Sequence, residues 1–509
     1  MPLTSSGKVN RKALPEVDLE NISNDTEYVA PETNQQKLLC KIVEKVLGVN
    51  LVGLVDDFFD LGGDSLKAIE FVSKAHNEGI YFNLQNVFDY PTIKLLCEFL
   101  ANNDVVHNQY NLNDFKEIYS LLKNNFKCDF VPEKNVVGDI LLTGATGFLG
   151  IHILAEFIEN ESGKIYCIVR GKSNEDSISR LEKQLKYYFE DKYLDLLNKR
   201  IIVLCGDIQE ANFGINNIPK VDMVINAAAS VKHYGSYKYF YDINVGGTIN
   251  ALKVAKMFDA KFIQISTLSV SGNSMADIFD AYQSESVKTF SERNLYIEQP
   301  LDNVYIRSKF EAEVAVYNEM LNGLKANIIR VGNLTNRSSD LKFQPNYQSN
   351  AFLSRVKAVI DMGMIPDYLL DLYSEFSPVD DMANAILKIA QHFNDQNIVF
   401  HVNNHNNLYF DRFIELANKI GIPMQVLDGD KFAKNLSKFG NNPKTQYIYE
   451  ALINDMDKDG KLVYDSNIHI ENDLTVEYLK KIGFNWSKID YDYLKAYVEY
   501  FNRLGYLEV

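Results

Sequence analysis

A strand, a glycine loop and a helix succeed one another from Asp139 to Phe157, and no other segment of this 509-residue chain narrows its fold as much. The run Asp139-Ile140-Leu141-Leu142 is short, apolar and strand-like. Thr143-Gly144-Ala145-Thr146-Gly147-Phe148-Leu149-Gly150 then repeats a glycine at every third position, and Ile153, Leu154 and Phe157 continue at helical spacing. Glycines in that context let the backbone approach a dinucleotide pyrophosphate, which rests on the N-terminus of the following helix. A second strand, Lys164–Val169, is followed by strand candidates at Ile201–Leu204, Met223–Ile225, Phe262–Ile265 and Asn327–Val331, each separated by helical or loop sequence. This alternation predicts an α/β fold of Rossmann type, with a doubly wound parallel sheet. Beyond about Phe376 the strand rhythm gives way to helical segments, so a mainly helical C-terminal subdomain is expected to complete the site.

The residues before 102 follow a different pattern. Leu38, Leu39, Ile42, Val43 and Val46 form one helical stripe, which Gly48 ends. A second helix is expected from Ser65, carrying Leu66, Ile69 and Val72 inward and ending near Gly79. A third follows Pro91, with Ile93, Leu95, Leu96, Phe99 and Leu100. These describe a small helical bundle whose Gly62-Gly63 turn stands at the head of the second helix. Ser65 would sit at a helix N-terminus, where free N–H groups and the helix dipole favour a phosphodiester. The same position also suits a serine that merely caps the helix. Residues 103–135, rich in Asn and Asp, read as a linker with one short helix, Asn113 to Asn125.

Bulk properties remove several classes of function. A formal net charge of −16 argues against a nucleic-acid surface, which needs a basic excess. Cys40, Cys97, Cys128, Cys167 and Cys205 are scattered and contain no Cys-x-x-Cys pair, so neither a disulfide framework nor a zinc site is expected. Asp455-Met456-Asp457-Lys458-Asp459-Gly460 imitates the start of a calcium loop. The twelfth position of that loop requires a bidentate glutamate and is Ser466 here, so no metal is expected. The N-terminus lacks the apolar core of a signal peptide, and no run approaches the ~20 apolar residues of a membrane span. A cytoplasmic protein with no membrane contact is the expectation.

Asp57-Phe58-Phe59-Asp60-Leu61-Gly62-Gly63-Asp64-Ser65-Leu66 closely resembles the attachment motif of peptidyl and acyl carrier proteins. The resemblance implies a covalent 4′-phosphopantetheine on Ser65, added by a phosphopantetheinyl transferase. Leu3-Thr4-Ser5-Ser6-Gly7-Lys8-Val9-Asn10-Arg11-Lys12-Ala13-Leu14-Pro15 looks like the last core motif of adenylation domains in nonribosomal peptide synthetases, which implies upstream adenylation and condensation modules as partners. The spacing of Gly144, Gly147 and Gly150 is that of extended short-chain dehydrogenases. An arginine at the end of the second strand suits the 2′-phosphate of NADP, whereas NAD sites carry an acid there. Arg170, helped by Arg180, therefore implies NADPH. Cys205-Gly206-Asp207-Ile208 and Asn226-Ala227-Ala228-Ala229 resemble the same family's adenine-side and nicotinamide-side loops.

Short-chain dehydrogenases pair Tyr with a Lys four residues later, which lowers the phenol's pKa and binds the ribose, and add a Ser or Thr hydroxyl on the oxyanion. Tyr-x-x-x-Lys occurs here from Tyr90, Tyr119, Tyr188, Tyr234, Tyr305 and Tyr491. Only Tyr305/Lys309 follows a strand ending in a Ser/Thr turn, Ile265-Ser266-Thr267-Leu268-Ser269-Val270-Ser271-Gly272, and alignment on Gly272 selects Thr267 over Ser266. Lys232 stands where relatives often carry asparagine, beside His233 and Tyr234. From about 136 to 509 the chain resembles thioester reductase domains. The expected division is a remnant at 1–29, a carrier at 30–102, a linker at 103–135, an NADP-binding reductase at 136–375 and a substrate subdomain at 376–509. The resemblance implies reductive release of a carrier-bound peptidyl or aminoacyl thioester as an aldehyde, with a further step to the alcohol left open. A sugar-nucleotide epimerase shares the reductase motifs but would not bring a carrier. A carrier and docking module whose reductase fold is cyclising or silent is the alternative. The stretch from Ile278 to Ile297 is expected either to shape the substrate entrance or to be a plain surface insertion.

Overall fold

The computed structural model describes residues 28–102, 110–125, 133–232, 234–272, 288–301, 303–370, 373–394, 396–406, 408–440, 442, 444–452, 462 and 468–507. The adenylation-like stretch with Lys8, Cys128, His233, the acidic Asp455–Gly460 segment and Ser466 lie outside them, as do the first residues of the Ile278–Ile297 stretch and the side chains of Ser65 and Leu66. The chain divides into two compact units, 1–107 and 108–509.

The first unit holds helices α1 (Asn34–Leu47), α2 (Ser65–Asn77), α3 (Leu84–Asp89) and α4 (Ile93–Asn102). Thr33 and Gln36 cap α1 reciprocally, and Gly48 ends it in a left-handed conformation. Leu39, Ile42, Val43 and Val46 are buried as the stripe requires, together with Phe58, Leu61, Phe71 and Val72. Ile69 is only half-buried, because Ala68, Phe71, Val72 and Ala75 form the inward face of α2. The short α3 escapes a periodicity reading, since six residues span less than two turns.

The second unit is built on seven parallel strands, β1 (Ile140–Thr143), β2 (Ile165–Val169), β3 (Ile201–Cys205), β4 (Met223–Asn226), β5 (Lys261–Thr267), β6 (Ala326–Val331) and β7 (Ile398–Val402). Their order is β7-β6-β5-β4-β1-β2-β3. Strand order reverses between β1 and β4, and ligands of such sheets bind outside the strands' C-terminal ends at that switch. The connecting helices include α6 (Phe148–Asn160), α7 (Asn174–Phe189), the short α8 (Tyr237–Phe240), α9 (Gly247–Phe258) and α10 (Val304–Leu321). Nearly every residue of β1, β2, β4, β5 and β6 is buried, as strands covered by helices on both faces must be. Among the described residues, no helix is long and apolar enough to cross a membrane.

Two boundaries differ from the sequence-based division. Residues 110–125 belong to the second unit. Helix α5 (Lys116–Asn125) and the turn before it bury Phe115, Ile118 and Leu122 in one core with Tyr296, Phe310 and Tyr317. The Tyr110 hydroxyl donates to Glu311 at 2.6 Å and so ties this segment to α10. The polar residues that suggest a linker occupy the outward face of an amphipathic turn and helix. At the other end, β7 lies well beyond Phe376 and pairs with β6, and helix α11 (Val379–Gln391) packs in the sheet's own core. The helical subdomain draws on two separate stretches, with Leu353, Ile365 and Phe376 from one and Leu408, Leu436, Tyr497 and Phe501 from the other. A single cut at 375/376 therefore severs the last βα unit of the sheet.

Candidate active site

The turn preceding α2 has a steric cause. A Cβ on Gly63 would lie 2.4 Å from the Phe58 ring and carbonyl oxygen, so only glycine passes there. Asp64 is the cap of α2, accepting from the Lys67 N–H at 2.9 Å. Ser65 is thus the first residue of the helix rather than its cap, which removes the alternative reading of this serine.

At the head of α6 the glycines are packed as tightly. Gly144 has φ +75° and its Cβ would meet the Ala227–Ala228 peptide at 2.7 Å, while a Cβ on Gly150 would meet the Gly144 oxygen at 2.1 Å. The Gly147 N–H donates to Gly144 O at 2.8 Å, closing the turn that carries Ala145 and Thr146. No side chain caps α6, so the N–H groups of its first turn, at Phe148, Leu149 and Gly150, have no side-chain acceptor. Thr143 locks this loop to β4, because its hydroxyl donates to Asn226 at 2.6 Å and accepts from the Ala228 N–H at 3.2 Å. The cradle fits a pyrophosphate.

On the β2–β3 side, Arg170 is exposed at the end of β2. Arg180 reaches back from α7 to donate to the Arg170 carbonyl, which brings its guanidinium to the end of β2. Among the described residues neither is in an ion pair. The Asp207 carboxylate accepts from the Gln209 N–H at 3.0 Å, and Ile208 packs where Gly247 leaves room. If Arg170 holds the 2′-phosphate of NADPH, Arg170→Ala is expected to raise KM for NADPH roughly tenfold or more. The KM for NADH should stay within about twofold. Steady-state kinetics with both cofactors checks this.

The other side of the switch gathers the remaining candidates. Thr267 ends β5 and is buried. Tyr305 stands in the first turn of α10, whose cap, Asn303, accepts from the N–H groups of Tyr305 and Ile306. The Tyr305 hydroxyl hydrogen-bonds the Thr267 side chain, and burial pushes the phenol up to about 12. Lys309 is buried one turn on, donating to the Ile265 carbonyl at 2.6 Å. Burial pulls it down to about 8, against the attraction of Glu313. The depressed phenol expected from the Tyr/Lys pairing is therefore replaced by a raised one, because desolvation outweighs every other influence on Tyr305. Ser266 points to the opposite face of β5 and donates to Glu313 at 2.5 Å. Strand alternation thus separates the two hydroxyls and puts Thr267, not Ser266, beside Tyr305.

Two features escaped the sequence reading. Asn244 lies in the π-helical turn Tyr241–Gly246, and its amide donates to Ser308 Oγ at 2.8 Å and to Ser230 O at 3.1 Å. It thereby ties the loop after β4 to the turn that carries Tyr305. The second is a wholly buried ion pair, Arg330 to Glu313 at 2.7 Å, with His401 Nε2 3.0 Å from the same guanidinium. His401 Nδ1 lies 2.6 Å from Glu471 O, so Nδ1–H donates there and Nε2 accepts from Arg330. Arg330 belongs to the run Arg330-Val331-Gly332-Asn333, which resembles a later motif of the same family, but its pairing with Glu313 and His401, like the contacts of Asn244, joins residues apart in sequence.

The fold and site define a dinucleotide-binding α/β protein of the short-chain dehydrogenase type, preceded by a helical carrier unit. The phosphopantetheine attachment site family matches residues 37–100, and the male sterility protein family, an NAD-binding family, matches residues 142–386. A solved thiolation-reductase di-domain from an archaeal nonribosomal peptide synthetase is 36% identical, with a TM-score of 0.81 over 95% of this chain and 100% of that one. A linear gramicidin synthase polypeptide of Brevibacillus parabrevis is 26% identical over 100% of this chain, and L-2-aminoadipate reductase of Saccharomyces cerevisiae is 25% identical over 100%. The chain spans 10% and 39% of the lengths of those two relatives. It belongs to the thiolation-reductase didomain family of nonribosomal peptide synthetases.

Proposed function

We propose that this chain releases a peptidyl or aminoacyl group from phosphopantetheine on Ser65 by reducing its thioester to an aldehyde with NADPH. The observation that carries this reading is the Thr267–Tyr305 hydrogen bond, with Lys309 one turn along, at the C-terminal edge of a sheet that also holds the glycine cradle. NADPH, when bound, supplies the hydride. The Gly144–Gly150 loop would hold its pyrophosphate, Asp207, Ile208, Ala227 and Ala228 its flanks, and Arg170 with Arg180 its 2′-phosphate. Thr267 and Tyr305 present hydroxyl groups to the carbonyl oxygen, and Tyr305, protonated through neutral pH, gives that oxygen its proton. Lys309, charged at neutral pH, stabilises negative charge beside them and binds the ribose. The hemithioacetal so formed expels the carrier thiol and leaves the aldehyde.

Phosphopantetheinyl transferase and upstream synthetase modules would be the macromolecular partners. Loading Ser65 with an acyl-pantetheine and following NADPH absorbance, with mass analysis of the product, tests the reading. Aldehyde formation is expected. A loaded chain that oxidises no NADPH overturns it in favour of a carrier with a silent or cyclising domain.

A further inference from the structure

Glu375 is a carboxylate that neither motif absorbs, yet it is held at the reacting edge of the sheet. Its Oε1 accepts from the Asn333 N–H at 3.1 Å and from Ser377 Oγ at 2.5 Å. It rests directly on Gly332, where a Cβ would lie 1.9 Å from that oxygen. Gly332 follows Val331, and Val331 is the register partner of Thr267 across β5 and β6. The carboxylate thus stands one strand over and about one residue past the hydroxyl proposed to meet the substrate. It lies on the side of Thr267 away from β1, β2 and β3, whose ends carry the pyrophosphate cradle and Arg170. Its second oxygen has no hydrogen-bond partner among the described residues, and the residue keeps part of its surface exposed.

Such an oxygen is a strong acceptor that a bound molecule can satisfy. Burial pushes the carboxyl up to about 7, and its only other influences are the Ser377 and Asn333 hydrogen bonds, which favour the ionised form. No cation among the described residues faces it to satisfy the second oxygen, so the complementary group is a donor brought by a ligand.

We propose that Glu375 is a binding residue of the reductase, its second carboxylate oxygen accepting a hydrogen bond from an N–H group of the bound reactants. Resting on the reductive reading above, this N–H comes either from the nicotinamide carboxamide or from the α-nitrogen of the acyl chain. Both lie next to the reacting centre, and a carboxylate there discriminates in favour of a reactant that carries the donor. Glu375→Gln is the sharp test. Its carbonyl oxygen keeps both Oε1 contacts, while its amide turns the acceptor into a donor facing the ligand's own N–H.

The full chain is titrated with NADPH alone by cofactor fluorescence. It is then assayed with two pantetheine thioesters, an N-acetylated aminoacyl one and its counterpart with carbon in place of the α-nitrogen. If the carboxamide is the donor, Glu375→Gln weakens NADPH binding about tenfold or more. If the acyl chain is the donor, KM rises about tenfold for the N–H thioester alone while NADPH affinity holds. The wild-type chain supplies a reading that needs no variant. It should bind NADPH more tightly than the 3-acetylpyridine analogue, which lacks the N–H, or prefer the N–H thioester over its carbon counterpart. Differences below about twofold in all of these comparisons overturn the assignment. A wild-type chain that neither binds NADPH nor reduces either thioester overturns the reductive reading instead.

Discussion

Ser65→Ala is expected to abolish reduction of any acyl group delivered through the carrier, while the same protein still reduces a free acyl-pantetheine thioester. Ser65 is the only residue of the attachment motif that offers a hydroxyl, so without it no pantetheine arm is transferred. The helix should survive the change, because Asp64 and not Ser65 holds its cap through the Lys67 N–H. Alanine is moreover the best residue in a helix interior. The effect on rate is large for a reason of concentration. A short tether presents its substrate at about millimolar effective concentration, and losing it returns the reaction to whatever is free in solution. Mass spectrometry of the intact chain after treatment with a phosphopantetheinyl transferase reads the first consequence. NADPH consumption with tethered and free thioesters reads the second. A variant that still accepts the arm would place the attachment site elsewhere.

Tyr305→Phe is expected to lower kcat by about 10² to 10⁴ with little change in stability. General acid catalysis by a positioned side chain is worth about that factor, or roughly 3–5 kcal/mol of barrier. The ring stays to fill its site, and the lost hydrogen bond to Thr267 costs only about 1 kcal/mol net. Single-turnover NADPH oxidation by loaded protein, alongside thermal unfolding, separates chemistry from folding. The pH profile adds a second readout. Tyr305 holds its proton up to about 12, so it does not set the alkaline limit. Lys309 loses its charge as pH rises through about 8, and the wild-type rate should fall there. Stability moves the other way. Folded Lys309 binds fewer protons than the unfolded side chain, whose pKa is about 10.4, so its contribution favours folding increasingly from about pH 8 to pH 10. A rate that holds flat to pH 10 would show that Lys309 does not set the alkaline limit.

The chain announces its local features clearly. The turn around Gly63 and the cradle around Gly144 and Gly150 are legible because each is a steric requirement within a few residues, and steric requirements dictate residue type. The sheet was legible up to β6 for the same kind of reason, since apolar runs between helical patterns form strands wherever they occur. Strand β7 was missed because Ile398–Val402 contains His401, a polar residue that the buried Arg330 satisfies from the neighbouring strand. Helix α5 was legible as a helix but not as part of the reductase, because its partners Tyr296 and Phe310 lie far along the chain.

What the sequence determined by itself is the order of parts and their chemistry: a serine at the start of a carrier helix, then a dinucleotide cradle, then a tyrosine and lysine one turn apart. Each of these is a local pattern, fixed by turn geometry or by helical period, and needs no distant partner to be read. What only the tertiary structure decided is which groups face one another. It turned Ser266 against Glu313 on the face of β5 away from Tyr305, buried Lys309 enough to lower its pKa, and brought Glu375 onto Gly332. Those outcomes depend on strand faces, desolvation and contacts between segments many residues apart, and such quantities exist only once the chain has folded.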